Sequence, residues 1–156
     1  MDQEFLDKYP VCYELDVIWG DMDAFGHVNN TKYFRYFETA RILYFEKCGI
    51  STKEFDDQIG PILSFTNCKF IRPLYYPDKI LTGVRVKSLG EDRFRMEHAV
   101  YSQTHRSLAA IGTGDIVCFD YKHKKKAPIP ERWVTAMVEK EKRSEAELRS
   151  MWDVSI

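Results

Sequence analysis

Residues 31–48, TKYFRYFETARILYFEKC, place Phe34, Phe37, Arg41, Tyr44, Phe45 and Cys48 at three- and four-residue steps, with Arg35, Glu38 and Glu46 at polar positions. That spacing predicts a helix of about five turns, roughly 27 Å long. Asn30 reads as its N-terminal cap, and Gly49, just after Lys47, as its stop. A helix apolar on most of its circumference cannot lie on a surface, so the rest of the chain has to wrap it.

The remaining periodicity is that of strands. Val11, Tyr13, Leu15 and Val17 alternate along residues 11–18, and four further alternating runs cover 62–72, 79–89, 92–101 and 108–121. Their connectors, RPLYYPD, SLGED and QTHR, are short enough for an antiparallel meander. A last helix starts with Pro130 in its first turn and turns Trp133, Val134 and Met137 inward, so residues 130–156 read as a C-terminal helix and tail. The order strand, long helix, four strands, helix gives an α+β fold: a curved antiparallel sheet around a central helix, the hotdog arrangement.

Length bounds the chain to one domain over residues 1–156, large enough for a substantial core. With 23 basic and 24 acidic residues, no global field draws it to nucleic acid or anionic lipid, and the KHKKK run at 122–126 reads as a solvated loop. Cys12, Cys48, Cys68 and Cys118 are widely spaced with no C-x-x-C pair, so they read as buried thiols of a reducing compartment and not as metal ligands. The acidic start MDQEFLDKYP lacks a signal-type apolar region, and no stretch is long enough for a membrane span. The expectation is a cytoplasmic protein.

Ahead of the central helix stands GDMDAFGHVNNTKYFRYFETAR, with two carboxylates, a glycine, a histidine and an asparagine pair. This stretch resembles the signature of the 4-hydroxybenzoyl-CoA thioesterase-like family, D-x-D-x-x-G-H-V-N-N-x-x-Y before the central helix. FTNCKFIRPLYYPD is similar to the family's second and third strands, and the resemblance runs from about residue 11 to about residue 133. It implies hydrolysis of acyl-CoA or acyl-carrier-protein thioesters, with no metal and no cofactor beyond the coenzyme A of the substrate. By motif position Asp23 is the catalytic carboxylate, as nucleophile or as general base, and the activating backbone N–H falls at Asn30. The helix N-terminus would then face the oxygen on which charge develops, and would keep Asp23 ionised.

The neighbouring residues carry two readings each. Asp21 reads as a turn cap. His27 fits a turn hydrogen bond or a base, and Tyr33 fits packing or a hydrogen bond near the acyl group. Gly26 supplies either a positive φ or a close approach to substrate. With Val28 and Asn29, these residues form the expected substrate-binding loop. Arg93 and Arg95, alternating on one strand face, are candidates for the phosphates of coenzyme A.

No G-x-S-x-G elbow, H-E-x-x-H or glycine-rich phosphate loop is present. Two alternatives remain beside hydrolysis: a hotdog hydratase or dehydratase using His27 with Asp23, and a non-catalytic acyl-thioester binding module. An exposed sheet edge and the resemblance together imply a homodimer or a dimer of dimers, with the site completed by the neighbouring chain.

Overall fold

The computed structural model describes residues 2–50 and 58–153. In chain order it contains α1 (Gln3–Lys8), β1 (Val11–Asp16), a short 3-10 turn (Trp19–Asp21), α2 (Asn30–Lys47), β2 (Ile59–Thr66), β3 (Lys69–Phe70), β4 (Lys79–Leu89), β5 (Arg93–Ser102), β6 (Ser107–Asp120), β7 (Lys125–Lys126), α3 (Glu131–Glu141) and α4 (Glu145–Ser150). The antiparallel sheet has the order β1-β4-β5-β6-β2, and β3 and β7 also pair with β6. It curls around α2, which packs against β1, β4 and β5.

The wrapping follows from the α2 sequence. Tyr33, Tyr36, Phe37, Ala40, Arg41, Tyr44 and Phe45 are all buried. Phe34, expected in the same stripe, is 36% exposed and packs edge-on against Phe37 instead. The helix ends as its sequence asks: Gly49 has φ +68°, its N–H donates to Glu46 O at 3.2 Å, and Ile50 N–H donates to Phe45 O at 2.9 Å. These two bonds are a Schellman closure, satisfying carbonyls that the last turn would leave bare. The start differs by one residue. Asn29, not Asn30, is the cap, because its Oδ1 accepts the Thr31 N–H at 3.0 Å.

The strands are not a simple meander. Of the expected strands, β4, β5 and β6 follow one another in space, while β2 and β3 sit on the far side of β6. The RPLYYPD connector therefore crosses the end of the sheet to reach β4 beside β1. On the way Leu74 O accepts the Val28 N–H at 2.9 Å and Asp78 O accepts the Val17 N–H at 2.9 Å, so the crossover ties down the loop ahead of α2.

The expected strand at 62–72 is also broken. Asn67 Oδ1 accepts both the N–H (2.8 Å) and the hydroxyl (3.1 Å) of Thr113, its own N–H donates to Thr113 O at 3.1 Å, and pairing resumes only at Lys69. A side chain doing backbone work opens the ladder there. Gly112 makes this approach feasible, since a Cβ at that position would collide with Asn67 O and the Phe37 ring.

At the C-terminus, Trp133, Val134 and Met137 are buried as expected. The single expected helix is two, α3 and α4, separated at Lys142 with φ +55°, and residues 154–156 of the expected tail lie outside the described residues. Part of the KHKKK run is not loop: Lys125 and Lys126 form β7 and pair with Asp120 and Phe119. The acidic N-terminus is the helix α1, capped by Asp2, whose Phe5 joins Tyr9, Leu81 and Tyr101 on the outer sheet face. Among the described residues no helix is long and apolar enough to cross a membrane.

Candidate active site

The loop between the 3-10 turn and α2 is held by its own backbone. Asp23 N–H donates to His27 O and Gly26 N–H donates to Asp23 O, both at 3.0 Å, and Met22 bridges Val28 across the turn. Gly26 has φ +83°, and a Cβ there would touch nothing within 4 Å. The left-handed conformation, one of its two readings, is therefore present.

Inside this turn the Asp23 carboxylate has two fixed partners. Oδ1 accepts the Phe25 N–H at 2.9 Å, and Oδ2 accepts Asn29 Nδ2 at 3.3 Å. Asn29 is also the cap of α2, with Oδ1 taking the N–H (3.0 Å) and hydroxyl (2.7 Å) of Thr31. Those donors fix which way the amide faces: oxygen toward the helix, nitrogen toward Asp23. One side chain thus ties the carboxylate to the helix N-terminus. The next residue, Asn30, opens the helix, and its N–H has no hydrogen-bond partner among the described residues. A half-buried carboxylate and a free helical N–H stand side by side, the pairing needed to deliver a nucleophile and to receive negative charge on oxygen.

Both groups border one cavity of about 450 Å³. Phe25, His27, Val28, Asn29 and Tyr33 complete its loop and helix wall, and Phe70, Ile71, Arg72 and Pro73 form the facing wall. Phe25 is 85% exposed, and Phe70 and Ile71 are about half exposed, so apolar surface is held open to solvent at the mouth.

Val28 is buried and contributes backbone and packing. Tyr33 is 3% exposed with its ring edge-on to Phe70 at 5.0 Å, and burial raises its hydroxyl above the ordinary range, which keeps it a neutral donor. The imidazole of His27 makes no hydrogen bond among the described residues and lies edge-on to Tyr75 at 6.3 Å. Asp21 does not cap the turn with its side chain. It pairs with Lys32 at 3.6 Å, and its carbonyl accepts the Asn29 N–H at 3.0 Å.

Arg93 and Arg95 are not brought to this cavity. Arg93 pairs with Asp92 at 2.8 Å, while Arg95 grips Asp115 with two bonds (2.7 and 3.0 Å), donates to Asp153 O at 2.9 Å and lies over Trp152 at 4.8 Å. Their charges are answered within the chain. The cation that does line the cavity is Arg72, which strand periodicity gave no reason to single out; its only flag is the position before Pro73 in the crossover.

Residues 17–137 match the thioesterase-like superfamily, and the chain belongs to it. It is an enzyme of the thioesterase class on a hotdog fold. Among solved structures, a thioesterase from Thermus thermophilus, complexed with coenzyme A and Zn, is 32% identical with a TM-score of 0.77, covering 88% of this chain and 98% of its own. A gentisyl-coenzyme A thioesterase is 26% identical with a TM-score of 0.71, covering 81% and 98%. The 1,4-dihydroxy-2-naphthoyl-CoA hydrolase of Thermosynechococcus vestitus is 25% identical over 121 residues, 76% of this chain and 82% of that protein.

Proposed function

We propose that the protein hydrolyses acyl-CoA thioesters to free acid and thiol, with Asp23 as the catalytic carboxylate and the Asn30 N–H as the donor to the thioester oxygen. The observation that carries this reading is the Asn29 bridge, which fixes a carboxylate beside an unpartnered N–H at a helix start. As general base, Asp23 takes a proton from water while the new C–O bond forms. The carbonyl electrons move to oxygen, where the Asn30 N–H and the helix dipole stabilise them. The tetrahedral species then collapses, the C–S bond breaks, and the departing thiolate receives the proton from Asp23. As nucleophile, Asp23 instead bonds the acyl carbon, expels the thiolate and forms an anhydride that water opens. Every step uses the chain's own groups and water. Coenzyme A as carrier is supported by the names of the related hydrolases. Thiol release measured across aryl, short-chain and long-chain acyl-CoAs tests the reading, which fails if none is cleaved.

The working unit we propose is a homodimer or a dimer of dimers. The β2 edge carries Ile62 (36% exposed) and Leu63 (41%), and Phe70 and Ile71 lie further along the same side of β6, at the cavity mouth. A second copy of this chain matches such an edge, because pairing would extend the sheet and cover the apolar row. Specific activity is expected to fall on dilution in step with the dimer seen by sedimentation. A fully active monomer would refute it.

A further inference from the structure

Resting on the hydrolase reading above, we propose that Arg72 recognises an anionic group carried by the acyl part of the substrate, with a carboxylate as the best match. Arg72 lines the cavity that Asp23 and Asn30 border, and it stands at its facing wall. Its place is set by the backbone, since both the Ile71 and Arg72 N–H groups donate to Ala109 O (2.8 and 3.0 Å). Its guanidinium lies against two side chains: Nη1 donates to Ser107 Oγ at 3.4 Å, and Nη2 meets His105 Nδ1 at 3.2 Å. No carboxylate among the described residues pairs with it, whereas Arg93 and Arg95 are both matched by aspartates. A guanidinium has five N–H donors. With two engaged, the rest remain for a planar anion, and an oriented arginine is the side chain best suited to grip a carboxylate with two bonds.

Distance decides which part of the substrate can supply that anion. Asp23 and Arg72 line the same cavity of about 450 Å³, which has room for a small or aromatic acyl group. The pantetheine arm between thioester sulfur and diphosphate is as long as about four residues of extended chain, roughly 15 Å. A thioester carbon at Asp23 therefore puts the phosphates beyond Arg72, and the far end of a short or aromatic acyl group within its reach. Phe70 and Tyr33, in edge-to-face contact with each other, give the cavity an aromatic side for such a group. Such an acyl group brings a second negative charge near Asp23, and Arg72 offsets the repulsion.

The test compares benzoyl and 3-carboxybenzoyl thioesters, each made with coenzyme A and with N-acetylcysteamine, which has no phosphate. The wild type is expected to favour the carboxylated acyl group by at least about tenfold in kcat/KM on both carriers. Arg72→Met should abolish that preference on both carriers, bringing the kcat/KM ratio of the two acyl groups to about one, while Arg72→Lys keeps part of it. Because Arg72 is exposed, melting temperatures of both variants should match the wild type. Equal losses for the two acyl groups confined to coenzyme A esters would assign Arg72 to the phosphates and overturn the proposal. Turnover of benzoyl esters with no preference for carboxylate would overturn it while leaving the hydrolase reading intact; a wild type that cleaves no thioester would overturn both.

Discussion

Asp23→Asn is expected to lower kcat by at least about 100-fold with KM little changed, whichever of the two hydrolytic routes operates. The amide can neither take a proton from water nor attack the acyl carbon, and it keeps the shape of the carboxylate. The turn should survive, because its backbone bonds at His27 and Gly26 do not involve the side chain. Locally the substitution sets a conflict: with Oδ1 still accepting from Phe25, the new NH2 would face Asn29 Nδ2, donor against donor. Asn29 cannot turn to relieve it without giving up Thr31 and the cap, so a modest loss of stability, about 1 kcal/mol, should accompany the loss of rate. Asp21→Asn is the matched control. Its partly exposed pair with Lys32, 3.6 Å apart, is worth about 1 kcal/mol at most, and its kcat should stay within about threefold. Thiol release under saturating substrate reads both variants. Near-normal turnover in Asp23→Asn would remove the carboxylate from the mechanism.

Where sequence and structure part at the site and in the sheet, two reasons recur: a side chain takes over a backbone role, or a contact joins residues far apart in the chain. The length and burial of α2 were legible because eighteen residues of one periodicity leave few alternatives. Its cap was misplaced by one residue because Asn29 and Asn30 are chemically alike, and only the turn that orients Asn29 toward both Asp23 and Thr31 separates them. The broken strand at Asn67 was hidden for a similar reason, since the alternation continues through it while the hydrogen bonds do not. Arg93 and Arg95 looked alike as free cations on one face. Whether a cation is free depends on the neighbouring strand and the C-terminal tail, where Asp115 and Trp152 wait for Arg95, and no spacing rule reports that. Arg72 was invisible until the crossover laid it against the cavity.

His98 supplies the second large expected effect, a loss of stability on acidification that one substitution should remove. It lies on β5 with its ring stacked on Phe37 of α2 (5.2 Å between centroids), flanked in the sheet by Val84 and Gly112, with Gly114 leaving room beside it. The side chain is fully buried, and neither ring nitrogen has a hydrogen-bond partner among the described residues. Burial, with the nearby Arg41 guanidinium adding to it, pushes the imidazole down to about 3 from its ordinary 6.5. Because the folded value is depressed, the unfolded chain binds a proton that the native state refuses between those two limits, so stability rises with pH across the window and is unaffected by this group above about pH 7. The size is about 2 kcal/mol lost at pH 5 relative to pH 7, growing to roughly 4 near pH 3. His98→Leu should be nearly as stable as the wild type at pH 7, since it exchanges two unpaired buried nitrogens for apolar volume. The difference between the two proteins in urea denaturation should then open in favour of leucine as pH falls from 6.5. Carboxylate titrations common to both cancel in that difference. Parallel curves over pH 7 to 4 would mean that the native state finds room for the proton on His98. The seat of Phe37, and through α2 the aim of the Asn30 N–H, would then owe nothing to a neutral ring at this position.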